Sequence, residues 1–170
     1  MLRVTVLGSG SRGNAILVDG SEGSVLVDAG FGPRALTRRL ALVDRRPEQI
    51  GALLLTHEHV DHACGAVAAS ARWNWPVFAS QGTLDALTGS GAGCPPSATA
   101  MAQDGASSTL CGFTVETIAV PHDARACVAL IVCDRASGAR VGIALDVGHV
   151  PETLPPALAR CDILVVESNH

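Results

Sequence analysis

Apolar residues along the chain fall into short runs, several with a period near two, broken repeatedly by Gly, Asp and Ser. Leu2–Leu7 reads as a first strand running into the turn Gly8-Ser9-Gly10-Ser11-Arg12-Gly13-Asn14. Strands over 15–18 and 24–28 flank Asp19-Gly20-Ser21-Glu22-Gly23, which predicts a hairpin. Leu36, Leu40 and Val43 then recur at helical spacing, with Arg34, Arg38 and Arg39 on other faces and Pro33 suited to the first turn. Ala52–Leu55 is wholly apolar, the kind of strand a sheet buries on both faces. A helix over 64–72, a strand at Val77–Ala79 and a helix over 81–88 follow. Gly89–Gly105 is rich in Gly, Pro, Ser and Ala without any period and reads as a long loop. Strands are expected at 107–111, 113–120, 126–133 and 140–145, the last two joined by the turn Asp134–Gly138. A short helix at 152–159 leads to a closing apolar strand, Ile163–Val166.

Helices interleaved with strands, many of them in hairpins, predict an α+β fold of two mixed sheets packed face to face with helices outside. With 170 residues and neither repeat nor linker, residues 1–170 are expected to form one domain. An apolar content of 48% excludes disorder, and no apolar stretch reaches the roughly 20 residues of a membrane helix. With no signal peptide recognisable, the expectation is a cytoplasmic protein without a membrane partner. Six cysteines lack any C-x-x-C pair and are expected to be reduced thiols, mostly buried.

Charge narrows the function classes. The net charge of −4 offers no general footprint for nucleic acid, and all 12 basic residues are Arg. With two Trp, three Phe and no Tyr, an extended base-stacking surface is not expected.

The candidate chemistry is concentrated in Thr56-His57-Glu58-His59-Val60-Asp61-His62, directly after the buried strand. In an extended segment alternate residues point the same way, so His57 and His59 reach one point. If the chain then turns into a helix, Asp61 and His62 face a neighbouring point. Imidazoles and carboxylates suit a borderline divalent ion: Zn²⁺ is the first choice, with Mn²⁺ or Fe as alternatives. Two such ions about 3.5–4 Å apart can share a water and generate hydroxide near neutral pH. Three of the six histidines within six residues make an accidental surface cluster a poor explanation. Glu58 should point away, as a solvated or salt-bridged side chain. His122 and Asp146 each follow a strand, where a ligand is held by the sheet while facing a groove.

These residues resemble the metallo-β-lactamase superfamily, with its His-x-His-x-Asp-His run, later isolated His and strand-end Asp. Within it, Leu-Gly-Ser-Gly-Ser-Arg-Gly-Asn, Val-Asp28-Ala-Gly, Pro-His122-Asp-Ala, Asp146-Val-Gly-His-Val and Glu167-Ser-Asn-His170 look like the YycJ (WalJ) branch. The resemblance runs through the whole chain in order. It implies a four-layer αβ/βα sandwich with a metal groove at one edge. It also implies that His57, His59 and His122 hold a first metal, that Asp61 and His62 hold a second, and that Asp146 bridges. Asp28 would orient a ligand from behind, as ligating histidines require. Family members continue beyond Glu-Ser-Asn-His with a Gly-His-Leu-Ser-Asn motif whose His completes the second site. Here the C-terminal part is missing, and His149 or His170 is at best a substitute.

Other features are assigned structural roles. Gly8–Asn14 lacks the P-loop ending and reads as a tight turn needing positive φ, its tip able to line the groove. Cys64 is expected on a helix and not as a ligand, and Trp73 and Trp75 as packing residues. The expected function is a metallohydrolase using a dinuclear-metal-activated hydroxide. The branch implies a phosphodiesterase acting as a 5′-to-3′ DNA exonuclease, with Asp61 or Asp146 accepting a proton. Arg12 and Arg125 are candidate phosphate contacts. The alternatives are a carboxylic ester or thioester hydrolase of glyoxalase II or lactonase type, and a truncated, inactive metal-binding domain.

Overall fold

The computed structural model describes residues 1–91, 93–105 and 107–167. The first sheet contains β1 (Arg3–Gly8), β2 (Ala15–Asp19), β3 (Ser24–Val27), β4 (Ala52–Leu54), β5 (Val77–Ser80) and β6 (Ala98–Met101), in that spatial order. β1, β2 and β3 pair antiparallel, and β3 to β6 run parallel. The second sheet has the order β11-β10-β9-β8-β7, from β7 (Ser107–Leu110), β8 (Phe113–Ala119), β9 (Val128–Asp134), β10 (Arg140–Ala144) and β11 (Ile163–Val166). Among the described residues its only parallel pair is β10 with β11.

The two-residue alternation of strand side chains is what stacks these layers, because these runs are apolar on both faces. Ile16, Val18, Val25, Val27, Ala52 and Leu54 point from the first sheet to meet Val115, Leu130, Val132, Val141 and Ile143 of the second. Their neighbours Leu17, Leu26, Leu53 and Leu55 point outward. There they are covered by α1 (Pro33–Ala41), α3 (Ala66–Trp73) and α4 (Gln81–Gly89), through Leu36, Leu40, Ala66, Ala69, Leu84 and Leu87. On the far side, Ile118, Ala129 and Ile131 pack against Leu154 and Ala157 of α5 (Leu154–Leu158). The result is helix, sheet, sheet, helix, as expected.

Three expectations need correcting. Part of the long loop is a strand: β6 pairs in parallel with β5, although Ala98, Thr99 and Ala100 are exposed. Backbone pairing and a single buried side chain, Met101, hold this edge strand, so no apolar alternation marks it. The helix expected from 64 begins earlier and in two pieces, α2 (Val60–Ala63) and α3. Gly65 separates them, packed so tightly that a β-carbon there would collide with the Phe31 carbonyl. The cysteines are all free, but only Cys127 is buried. Cys64 and Cys94 are exposed, and Cys111, Cys133 and Cys161, at element ends and turns, are only half-buried. Trp75 behaves as expected, buried with its Nε1 donating to the Pro47 carbonyl at 2.9 Å. No helix among the described residues is long and apolar enough to cross a membrane.

Candidate metal centre

The site forms where the carboxyl ends of two parallel strand pairs meet, β3 with β4 and β10 with β11. Each pair releases an aspartate in the left-handed conformation, Asp28 (φ 60°) after β3 and Asp146 (φ 50°) after β10. This conformation, uncommon outside glycine but tolerated by Asp, reverses the chain within one residue.

Asp28 is fully buried and organises the imidazoles from behind. Its carboxylate accepts the Thr56 N–H at 2.8 Å, the Thr56 hydroxyl at 2.8 Å and His62 Nδ1–H at 2.7 Å. The Thr56 hydroxyl has one proton and gives it to Asp28, so it accepts from His57 Nδ1, 3.0 Å away. Both rings therefore carry their proton on Nδ1 and turn Nε2 inward, which is how an outer carboxylate prepares a histidine to bind a cation.

Asp146 closes the front. Its Oδ2 lies 2.8 Å from His62 Nε2 and 3.8 Å from His57 Nε2, and its N–H donates to Glu167 Oε2 at 2.9 Å. His59 stands beside His57 with ring centroids 4.6 Å apart. His122, on the loop between β8 and β9, brings Nε2 to 3.3 Å from His59 Nδ1. Two groups could hold an ion, their donor atoms within 4.8 Å of one another: His57, His59 and His122, and His57, His62 and Asp146.

The donor atoms fit a cation. Buried His57 Nε2 and Asp146 Oδ2 have no hydrogen-bond partner among the described residues, and both face the gap. Unpaired buried polar atoms are costly, and a shared cation removes that cost. Burial first, then the neighbouring His62, His59 and His122, depress His57 to about 2, so its lone pair is free at neutral pH. Burial also pushes His62 down, but the Asp28 hydrogen bond and the charges of Asp28, Asp146 and Asp61 outweigh it and raise the ring. A proton on His62 Nε2 would occupy the place a cation would take.

The expected residues mostly converge, with one shift of position. Asp61 falls outside both tight groups. Its Oδ2 is 3.7 Å from His62 Nε2 and 3.4 Å from Asn14 Nδ2, so it stands at the rim. The Gly8–Asn14 turn has positive φ at Gly10 and Gly13 and does reach the site, with Asn14 Nδ2 2.8 Å from His62 Nε2. Arg12 and Arg125 are exposed. His149 is exposed and belongs to neither group, and His170 falls outside the described residues.

Three carboxylates make contacts that the sequence did not foresee, Glu167 through the Asp146 N–H. Glu58 Oε1 accepts the Arg125 N–H at 2.7 Å, and its Oε2 lies 3.4 Å from the Thr83 hydroxyl. It thereby ties the His122 loop to the segment carrying His57 and His59. Asp123 Oδ1 is 3.1 Å from His122 Nε2 and 3.6 Å from His59 Nε2. Glu167 is raised, chiefly by burial. Only the alternation along His57-Glu58-His59 hinted at the first, by placing Glu58 on the opposite side.

Fold and sequence together define the class: the chain belongs to the metallo-β-lactamase superfamily, which matches over residues 8–126. Among curated relatives it is similar to exodeoxyribonuclease WalJ of Streptococcus pneumoniae serotype 2, 28% identical over 172 residues, covering 99% of this chain and 62% of that protein. It is also similar to exodeoxyribonuclease YycJ of Bacillus anthracis, 27% identical over 169 residues, with 99% and 63% covered. The chain thus spans under two thirds of these relatives' length and is short relative to them, as expected. In structure it resembles a metallo-β-lactamase with a HARLDQ motif from Cronobacter sakazakii, with TM-score 0.74, 21% identity, and 96% of this chain and 76% of that chain covered. The metallo-β-lactamase SMB-1, bound to 2-mercaptoethanesulfonate, gives 0.70 at 22% identity with the same coverage. These two likenesses concern the fold alone.

Proposed function

We propose that residues 1–170 form one domain of a metal-dependent phosphodiesterase acting on DNA ends, using two divalent cations, Zn²⁺ or Mn²⁺ first. The observation that carries this is the pair of inward, unpartnered buried atoms, His57 Nε2 and Asp146 Oδ2, inside a ring of four histidines. His57 has one bare lone pair and serves one cation, with His59 and His122. His62 and Asp61 serve the other, and Asp146 lies between. Such cations polarise a phosphoryl oxygen and acidify an attacking water. Asp28 holds the ring tautomers, Asp146 or rim-placed Asp61 takes up the released proton, and Glu58 fixes the His122 loop. Arg12 and Arg125 are free to meet phosphate. Support for DNA comes from the two relatives named exodeoxyribonucleases.

A second reading is hydrolysis of a carboxylic ester or thioester. It is favoured by exposed Asp123 beside His59 and His122, an acidic group where a phosphate would approach. The deciding experiment measures bound metal per chain, then release from end-labelled duplex DNA, a small phosphodiester and a thioester with Mn²⁺ or Zn²⁺. Two ions and DNA end-release are expected. Thioester turnover without phosphodiester turnover would replace the first reading by the second, and fewer than two ions would reject the dinuclear mechanism.

A further inference from the structure

On the outer side of the first sheet, α1 and α3 enclose two adjoining hollows of about 270 and 460 Å³. Both are lined by Pro33, Arg34, Arg38 and Arg72, and no acidic residue borders either. The three guanidinium groups are exposed and make no ion pair or hydrogen bond among the described residues. Arg72 does lie 5.8 Å from the Trp73 ring. Arg39, by contrast, is already committed, donating to the Leu7 carbonyl at 2.6 Å and stacking on Phe31. Residues 29–43 contain no Asp or Glu at all, in a chain whose net charge is −4.

Local electrostatics at the start of α1 are unfavourable as they stand, although Arg38 and Arg39 suit its last turn. Arg34 occupies the first turn, where the helix dipole disfavours a cation, and that turn has neither an acidic residue nor a side-chain cap. Arg38 repeats the charge four residues later on the same face, a spacing at which like charges repel. A bound polyanion reverses the sign of both effects. The groove also adjoins the metal centre through the backbone. Ala29 N donates to the His62 carbonyl at 2.7 Å, and Gly65 N donates to the Ala29 carbonyl at 2.8 Å. Arg34 is five residues beyond Ala29, so it lies within about 19 Å of that junction along the chain.

We propose that Arg34, Arg38 and Arg72 form a track for the phosphate backbone of a nucleic-acid strand whose end enters the metal centre. The proposal rests on the phosphodiesterase reading and adds where the strand is held. Phosphate contacts of this kind carry no sequence preference and give a steep salt dependence.

The test is fluorescence anisotropy of a nuclease-resistant phosphorothioate strand between about 50 and 200 mM salt. Wild type is compared with the triple variants R34Q/R38Q/R72Q and R34K/R38K/R72K, with hydrolysis of a small phosphodiester measured in parallel. Removing three contacts should make the slope of log affinity against log salt about 2 units shallower and weaken binding about tenfold or more at the low-salt end. The Lys variant should retain most of the binding, and small-substrate turnover should be equal in all three proteins. Unchanged affinity and slope in the Gln variant would overturn the track, even if DNA cleavage stands. Arg-dependent binding of anionic lipid vesicles without strand binding would overturn it too. Strand binding lost in the Gln variant while wild type hydrolyses no phosphodiester would sink the phosphodiesterase reading and leave the track in place.

Discussion

Replacing Asp28 by Asn separates the orienting role of this carboxylate from its packing. The left-handed φ of 60° admits Asn as readily as Asp, and the side chains match in size, so neither strain nor a cavity is introduced. One oxygen still accepts the Thr56 N–H. The new NH₂, however, stands where the carboxylate accepted His62 Nδ1–H at 2.7 Å. Two donors cannot face each other, so the His62 proton moves to Nε2 and Nδ1 becomes the acceptor. That proton then fills the lone pair turned toward Asp146. A hydrogen bond to a charged group contributes about 1.5–3 kcal/mol, and the reversed neutral bond recovers about 1 kcal/mol, for a net loss of about 0.5–2 kcal/mol. Cation affinity should fall about 10–100-fold, the usual consequence of losing such an outer partner. Denaturant titration in chelator reads the first quantity, competition with a chromophoric chelator the second, and nitrogen-edited NMR of the histidine rings the tautomer. If D28N binds cations like wild type with its His62 proton still on Nδ1, the account of the site is wrong.

Glu58→Ala releases the 2.7 Å tie to Arg125 N. Because that bond is partly solvated, about 1 kcal/mol is expected, seen as roughly fivefold weaker cation binding in competition assays. Glu58→Gln, which keeps one acceptor, should restore most of it, and equal losses in both variants would refute the tie. Asp146→Ala should weaken binding of the second ion more than Asp61→Ala, since Asp146 is 2.8 Å and Asp61 3.7 Å from His62 Nε2. Ion counting on the two variants decides, and the reverse order would return Asp61 to the centre. In chelator, His57 makes the protein acid-sensitive: its folded value near 2 lies below the ordinary 6.5, so only the unfolded chain takes a proton as pH falls. Stability should therefore drop by up to about 1.4 kcal/mol per pH unit below 6.5 from this residue. His62 has a raised value and acts oppositely, contributing stability that is present below 6.5 and is lost as pH rises through its folded value. Denaturant midpoints of H57N against wild type across pH isolate the first effect, and parallel profiles would refute it.

How legible each part was depended on whether a local rule governed it. Strands β2 and β4 could be read because burial on both faces forces continuous apolar runs, as in Ala15–Val18 and Ala52–Leu55. Two packed sheets with helices outside followed from the order of strands and helices, and the four-layer sandwich from the family resemblance. Which face of Ile16-Leu17-Val18 meets the second sheet could not be read from a run that is apolar on both faces. β6 was illegible because it pairs to β5 through the backbone, leaves Ala98, Thr99 and Ala100 exposed and sends only Met101 into the core. The site was legible as a residue set, since His57, His59 and His62 are close in sequence and fixed by one turn. What escaped was tertiary. The Glu58–Arg125 tie spans 67 positions, and the rim placement of Asp61 depends on Asn14 of a distant turn.

The two-sheet origin of the site has a thermodynamic consequence. His57, His59 and His62 leave the first sheet, whereas His122 and Asp146 leave the second. A cation held by both sets binds only when the sheets are docked, so its binding free energy adds to the packing of the buried layer between them. At 100 times the dissociation constant that linkage is worth about 2.7 kcal/mol. Unfolding midpoints should rise with free cation concentration, and chelation should increase amide exchange first at His122 and Asp123 and around Asp146. The Arg125 N–H bond to Glu58 and the Ser80 hydroxyl bond to the Ala126 carbonyl still hold the rest of that loop to the first sheet. Hydrogen exchange with and without cation resolves this, because the backbone ladders of β2, β3 and β9 should stay protected in both states. A midpoint independent of cation would mean that the histidines and Asp146 do not share an ion across the sheet boundary.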